Sequence, residues 1–111
     1  SRFFITRLKS GRLLLVNHHK GKGRTNLTAM VSEDEGKSWR GNLMLDNREE
    51  VSYPAGFQDD DGMIYIIYDR ERHKAKEILM AVFNEEDILR GEFQSPKSRQ
   101  RVLVNKATGQ L

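Results

Sequence analysis

The chain has 111 residues, a formal net charge of +3, a hydrophobic fraction of 37% and a charged fraction of 32%. This length and balance fit one small globular domain with a modest core, and they exclude a disordered tail. Both signs of charge interleave along the chain, so a strongly basic surface for nucleic acid or membranes is not predicted. The sequence contains no cysteine for a disulfide framework and no apolar run of the roughly 18 residues that a membrane span needs.

The predicted secondary structure is a series of short strands separated by turn residues. Hairpin-type turns are predicted at Lys9–Arg12 and Asp59–Gly62, where a glycine can take a positive φ. One helical turn is predicted between Asn84, which can cap it, and Gly91, which can end it. The strands are expected near residues 2–8, 12–17, 26–32, 42–46, 53–58, 63–69, 77–83 and 101–105.

A repeated unit occurs twice in the sequence, with an offset of 51 residues. At this offset Gly11–Val16 aligns with Gly62–Ile67, and Leu27–Val31 aligns with Ile78–Val82, without a gap. A repeat of turn, strand, loop and strand with this period is typical of propeller blades made of four antiparallel strands. We therefore predict an all-β fold of about two blades, with residues 1–48 forming the first and residues 49–111 forming the second plus a C-terminal tail.

Two blades cannot close a propeller ring, so strand edges and apolar faces would stay uncovered. The rest of the ring is expected either from further blades of a longer protein or from self-association. Three two-blade copies would make six blades. Because Arg2–Thr6 is already predicted to be a strand, the chain is expected to be a fragment.

The segment Ser32–Trp39 has the pattern S-x-D-x-G-x-S-W, which predicts a specific turn. Ser and Asp side chains can bond nearby backbone N–H groups, Gly can take a positive φ, and Trp is a large apolar plug. The pattern resembles the Asp box, or BNR repeat, of the six-bladed sialidase (neuraminidase) β-propellers. In that family the box lies at the periphery of a blade and has a structural role. The residues that carry the resemblance are Ser32, Asp34, Gly36, Ser38 and Trp39.

Together with the Asp box, three further segments stand in the order expected near the C-terminal end of a sialidase-type propeller: Gly23–Leu27, Val51–Tyr53 and Ile67–Asp69. The resemblance covers roughly residues 8–83. It implies that Arg24 clamps the substrate carboxylate, that Tyr53 is the nucleophile, and that Asp69 does not touch the substrate but holds an active-site arginine in place. Arg70 and Arg72 are interpreted as candidates for a rim that faces an anionic ligand.

The chemistry of the resembled family accounts for these residue types. Sialic acid carries a carboxylate on its anomeric carbon, so a carboxylate nucleophile would approach that carbon against like charge. A neutral phenol activated by a Glu avoids part of this repulsion, and sialidases use a Tyr nucleophile. A planar guanidinium binds both oxygens of the substrate carboxylate. The implied function is that of an exo-α-sialidase-type glycoside hydrolase acting on a sialic-acid-type or other glycan, with no metal and no cofactor.

Two departures from the family pattern leave other functions open. Asp69 stands where Glu is usual and is one methylene shorter. Pro54 stands where Ser is more typical and removes a backbone donor. The alternatives are a non-catalytic Asp-box propeller that binds carbohydrate or serves as a scaffold, and a glycosidase of the same fold with another sugar substrate. Since the first two arginines of the family's triad, its activating Glu and its acid/base Asp would lie upstream, the isolated chain is expected to be inactive.

The remaining polar clusters are interpreted as structural. The basic runs Lys20–Arg24 and Lys97–Arg101 are predicted to be solvated loops, and no nucleic-acid partner is expected. The three histidines lack the spacing of a metal site. The acidic turn Asp59–Gly62 lacks the later ligands of a calcium loop. By resemblance, the protein is expected to be secreted or periplasmic in a bacterium.

Overall fold

The computed structural model describes residues 3–18, 27–48, 51–72 and 75–107, and it describes only the backbone of residues 52–53, 71–72, 75–76 and 105–107. All eight predicted strands and the predicted helical turn are present, with bounds that differ from the predicted ones by about three residues at most. The elements in chain order are β1 (Phe4–Arg7), β2 (Leu13–His18), β3 (Leu27–Ser32), β4 (Arg40–Asp46), β5 (Val51–Gln58), β6 (Ile64–Arg72), β7 (Ala75–Phe83), α1 (Glu85–Arg90) and β8 (Arg99–Ala107).

The strands form two antiparallel four-stranded sheets, a first sheet in the order β1-β2-β3-β4 and a second sheet in the order β5-β6-β7-β8. Each strand pairs with its neighbour in the sequence. Contacts between the sheets join β1 to β5 and β4 to β8, so the two sheets stack with the same strand order. This is the arrangement of two adjacent propeller blades, and it confirms the predicted all-β fold.

One apolar core fills the space between the two sheets. Alternation along the strands decides which side chains enter it, because successive residues point to opposite faces. We call the faces that meet at this core the inner faces and the opposite ones the outer faces. In the second strand of each sheet, β2 and β6, the inner-face residues are fully or almost fully buried: Leu14 and Val16 in β2, and Ile64, Ile66 and Tyr68 in β6.

The pairing register of the second sheet repeats that of the first at the predicted offset. Leu14 pairs with Val31 in the first sheet, and 51 residues later Tyr65 pairs with Val82 in the second. The pairs between β1 and β2 recur in the same way between β5 and β6. The two sheets are therefore copies of one structural unit, although their side chains differ.

The fourth strands depart from this offset because the corner before them differs. Thr28 pairs with Met44 in the first sheet, whereas Leu79 pairs with Leu103 in the second, so the offset there is 59 residues. The first sheet makes this corner with the turn Ser32–Trp39, and the second makes it with α1 and the segment after it.

The two hairpin turns are also equivalent. Gly11 and Gly62 have φ angles of 95° and 90°. The N–H of Gly11 donates to the carbonyl of Leu8 at 2.9 Å, and the N–H of Gly62 donates to that of Asp59 at 3.1 Å. A positive φ is the reason that glycine occupies both positions.

Pro54 lies inside β5, which is an edge strand of the second sheet and pairs only with β6. The pairing with β6 shifts register between Ser52 and Ala55, and Pro54 falls in that shift. Because proline donates no N–H, such a bulge is where a strand can hold it. Among the described residues, no helix is long and apolar enough to cross a membrane.

Candidate functional site

The strand ends give the molecule two ends with different chemistry. The Asp-box end carries the turn Ser32–Trp39, both hairpin turns and α1. The opposite end, which we call the tyrosine end, carries the end of β4, the start of β5, the end of β6 and the start of β7. Tyr53 and Asp69, two of the site residues proposed from the sequence, belong to the tyrosine end.

The pairing of β5 with β6 brings the segment around Tyr53 beside Asp69. The backbone of Ser52 pairs with Asp69, and the backbone of Val51 pairs with Arg70. Tyr53 follows within the register shift. These residues are adjacent because β5 starts where the antiparallel strand β6 ends.

The other predicted site residues are described only in part. Arg24 lies outside the described residues, and so do the side chains of Tyr53 and Arg72. The side chain of Asp69 is half-buried. Asp69 and Arg70 are successive residues of a strand and therefore point to opposite faces of the second sheet.

Arg70 is held between the two sheets and does not project into solvent. Its side chain is 14% exposed, and its Nη1 donates to Glu77 Oε1 at 3.1 Å across the β6–β7 pair. Its Nε is buried and has no hydrogen-bond partner among the described residues. One buried guanidinium N–H therefore remains available for a further acceptor at this end.

His18 ties the first sheet to the segment that leads into Tyr53. Its Nε2 lies 2.6 Å from the carbonyl oxygen of Val51, a distance at which the ring N–H donates to that oxygen. This contact fixes the start of β5 against the end of β2. The hydrogen bond indicates a structural role for His18. Among the described residues, no group of three or more His, Cys, Asp or Glu side chains is placed to hold a metal ion.

A buried carboxylate, which the sequence analysis missed, lies at the same end between the two sheets. Asp46 ends β4 and is fully buried. Its Oδ2 accepts from Tyr68 Oη at 2.8 Å and from Arg48 Nη2 at 2.6 Å, and its Oδ1 accepts from Arg48 Nε at 2.8 Å. The alternation of Ile64, Ile66 and Tyr68 could have placed Tyr68 inside, but no local pattern marks Asp46 as its partner.

This network shifts the pKa values of both partners. Burial acts to raise the pKa of Asp46, but the hydrogen bonds from Arg48 and Tyr68 together outweigh it and lower the pKa. Burial, and then the neighbouring carboxylate of Asp46, raise the pKa of Tyr68. Asp46 is therefore an anion and Tyr68 a neutral phenol at neutral pH, which suits a structural link better than proton transfer.

At the opposite end, the Asp-box turn is closed by two side chains. Ser32 Oγ accepts from the N–H of Gly36 at 2.8 Å and donates to Asp34 Oδ1 at 2.8 Å. Asp34 Oδ1 accepts from the N–H of Ser38 at 2.8 Å, and its Oδ2 accepts from the Ser38 hydroxyl at 2.6 Å. Trp39 is half-buried beside Gly36 and lies outside the core, so it is a weaker plug than predicted.

The sequence model of the BNR repeat-like domain family matches residues 1–66, which is more than half of the chain. The chain belongs to this family. The matched range contains the whole first sheet, β5 and the start of β6. Searches of curated proteins and of solved structures return no match to the chain.

Two surface depressions lined by described residues of this BNR repeat-like domain lie at the Asp-box end. One of about 370 Å³ is lined by Ser10, Gly11, Arg12 and Glu33, and a second of about 240 Å³ lies along α1. Arg12 is already paired with Glu33 at 2.8 Å and with Glu85 at 2.7 Å. Asp69 is not among the described residues that line either depression, so neither adds support for the sequence-based site.

Acid is expected to weaken this BNR repeat-like domain through Asp34. Hydrogen bonds from the Ser38 hydroxyl, the Ser38 N–H and Ser32 lower the pKa of Asp34 to about 2, compared with about 3.9 in an unfolded chain. Because the folded-state pKa is the lower one, the stabilisation is complete above about pH 4 and is lost as the pH falls towards about 2. Urea unfolding midpoints across this range should fall more steeply for the original chain than for Asp34→Asn. If the urea midpoints of both proteins fell equally steeply with pH, Asp34 would not be the source of the acid sensitivity.

Proposed function

We propose that this BNR repeat-like domain forms the C-terminal part of the active site of a sialidase-like glycoside hydrolase. BNR repeats occur in sialidases and in other glycosidases. The observation that carries the proposal is the pairing of Ser52 with Asp69, which sets the Tyr53 segment beside a carboxylate at the end opposite the Asp box. Order and spacing along the chain favour the same residues.

In the proposed reaction, the Tyr53 hydroxyl oxygen attacks the anomeric carbon and the glycosidic bond to the leaving sugar breaks. An acid on another blade protonates the oxygen of the leaving sugar, and the phenol loses its proton to a general base on another blade. Water later cleaves the bond between the anomeric carbon and the tyrosine oxygen, which releases sialic acid and restores the phenol. Arg24 would bind the substrate carboxylate through its planar fork, and Asp69 would orient an arginine at the site. Asp46 and Tyr68 would fix the two sheets behind the site without touching the substrate.

The rest of such a site requires groups from further blades. Two sheets form only part of a propeller ring. The other arginines, the activating Glu and the acid/base Asp would come from the remaining blades. We therefore expect the 111-residue chain alone to release no sialic acid from a fluorogenic sialoside above the buffer rate. Measurable turnover would contradict the proposal that further blades supply part of the active site.

The nucleophile assignment is tested by Tyr53→Phe in a polypeptide that carries this chain together with the blades that close the propeller. We expect kcat to fall by at least about a hundredfold while substrate binding persists, because only the attacking oxygen is lost. The matched control is Tyr65→Phe, since the Tyr65 hydroxyl lies at the Asp-box end and donates to Asp59 Oδ2 at 3.2 Å. An unchanged kcat in Tyr53→Phe would refute the assignment.

A second candidate function is a propeller that binds a carbohydrate without cleaving it, or that serves as a scaffold. The features that favour it are the short Asp69 side chain, the buried Pro54 after the tyrosine, and the pairing of Arg70 with Glu77. A glycosidase with another sugar is a related alternative. A closed propeller that binds a glycan equally well before and after Tyr53→Phe, and turns over none, would select the binding function.

A further inference from the structure

The register shift in β5 leaves the backbone around Tyr53 without regular pairing. Two residues of β5, Tyr53 and Pro54, oppose the single residue Tyr68 of β6. A bulge of this kind disrupts the ladder locally, and Pro54 has no N–H to donate. β5 is also an edge strand with only β6 beside it. The pairing with β6 therefore does not by itself fix the place of Tyr53.

The residues just before the bulge are held by the first sheet. His18 Nε2 lies 2.6 Å from the carbonyl oxygen of Val51, which precedes Tyr53 by two residues. The Val51 side chain is fully buried, and its backbone pairs with Arg70. His18 itself ends β2 and pairs with the fully buried Leu27 of β3. The hydrogen bond therefore joins the start of β5 to a part of the first sheet that is anchored in the core.

The place of a nucleophile has a steep effect on the reaction rate. The reacting atoms must approach to about 3–3.5 Å with aligned orbitals, and a misplacement of about 1 Å can slow a reaction about a hundredfold. Bulges are often found beside active sites, where they set the direction of a side chain. A group that holds Val51 can therefore change kcat through Tyr53 without touching the substrate.

We propose that His18 is a positioning residue for the nucleophile of the proposed sialidase-like reaction. Its hydrogen bond to the Val51 carbonyl holds the residue that leads into the bulge, and the bulge then sets the place of Tyr53 relative to the substrate. Because His18 belongs to the first sheet and Tyr53 to the second, the place of the nucleophile depends on how the two sheets pack. The inference rests on the proposed function, since it requires Tyr53 to be the nucleophile.

A second link between β5 and the first sheet provides a matched control. At the other end of β5, Gln58 Oε1 accepts from the backbone N–H of Lys9 at 2.8 Å. This hydrogen bond lies at the Asp-box end, and the regularly paired residues 55–58 separate it from the bulge. Its loss should lower stability without moving Tyr53.

The kinetic test uses a polypeptide that carries this chain together with the blades that close the propeller. His18→Phe keeps an aromatic ring and removes the donor, so kcat should fall by at least about tenfold while KM changes by less than about twofold. His18→Gln restores an N–H donor in its side-chain amide and should recover most of the lost kcat. Gln58→Met should leave kcat within about twofold of the original.

Hydrogen exchange measures the same link without any turnover. In the 111-residue chain, His18→Phe should speed amide exchange at the start of β5 and leave exchange in β7 unchanged, because the lost contact allows local opening there. His18→Gln should show the original exchange at the start of β5. Gln58→Met should speed exchange at the end of β5 instead.

The possible outcomes separate this inference from the proposed function. Unchanged exchange at the start of β5 in His18→Phe, or a loss of kcat that His18→Gln does not recover, would overturn the positioning role even where Tyr53→Phe abolishes turnover. An equal loss of kcat in Gln58→Met would also overturn it, because the cause would then be general stability. If Tyr53→Phe keeps full kcat, or if the closed propeller has no turnover, the proposed function fails and the positioning role fails with it.

Discussion

Replacing Asp46 with alanine is expected to lower the free energy of unfolding by about 2–3 kcal/mol, because the buried Tyr68 hydroxyl loses its acceptor and the charge-assisted hydrogen bonds from Arg48 are lost. Asp46 is fully buried where the two sheets meet and accepts hydrogen bonds from both Arg48 and Tyr68. Without it, the Tyr68 hydroxyl and the inner part of the Arg48 guanidinium lose their acceptor in a poorly solvated place. Urea unfolding followed by tyrosine and tryptophan fluorescence measures the effect.

Two matched variants distinguish this link from a general surface charge effect. Asp60→Ala removes an exposed carboxylate that is paired with Lys9 at 3.0 Å, and it should cost no more than about 1 kcal/mol. Tyr68→Phe removes only the hydroxyl and should cost about 1 kcal/mol, since Asp46 keeps Arg48. A loss in Asp46→Ala no larger than that in Asp60→Ala would show that the carboxylate does not hold the sheets together.

Replacing Asp87 with alanine is expected to lower the free energy of unfolding by about 3 kcal/mol or more, because several buried donors lose one shared acceptor. Asp87 is almost fully buried in α1 and accepts from the N–H groups of Asn84, Gln94 and Ser95. It also accepts from the Ser98 hydroxyl. Burial acts to raise the pKa of Asp87, but these hydrogen bonds outweigh it and lower the pKa.

The control for Asp87 lies one residue earlier in the same helix. Glu86 is exposed and is paired with Arg90 at 2.8 Å, so Glu86→Ala should change stability by only a few tenths of a kcal/mol, as for an ordinary i,i+4 pair. Thermal and urea unfolding of both variants give the comparison. Equal losses in the two would mean that the helix as a whole, and not the Asp87 acceptor, sets the stability of this corner.

Asp34 and Asp87 have the same structural role in the two sheets. Each carboxylate accepts hydrogen bonds from backbone N–H groups in the connection between the third and fourth strands. Asp34 does so in a short exposed turn, and Asp87 does so in a longer, more buried connection. The Asp-box pattern predicts the turn around Asp34 from the sequence. The connection around Asp87 shares no motif with it, and only the helix-capping residues Asn84 and Gly91 indicated a change of structure there.

For the candidate site, only the order of its residues along the chain could be predicted from the sequence. The motif order and the repeat predicted that Tyr53 opens β5 and that Asp69 ends β6, and antiparallel pairing then makes them neighbours. The contacts of Asp46 and His18 could not be predicted in this way. Each joins residues of different sheets, 22 residues apart for Asp46 and Tyr68 and 33 apart for His18 and Val51.

The sequence by itself determined the strands, the turns and the repeat, because these depend on local alternation, on glycine at positive φ and on a period visible along the chain. Only the tertiary structure decided which face of each sheet meets the other and which polar groups are enclosed there. Those outcomes depend on stacking the two sheets, which burial energy favours but no local pattern specifies. The buried Asp46 between the sheets and the uncovered apolar outer faces are both results of that stacking.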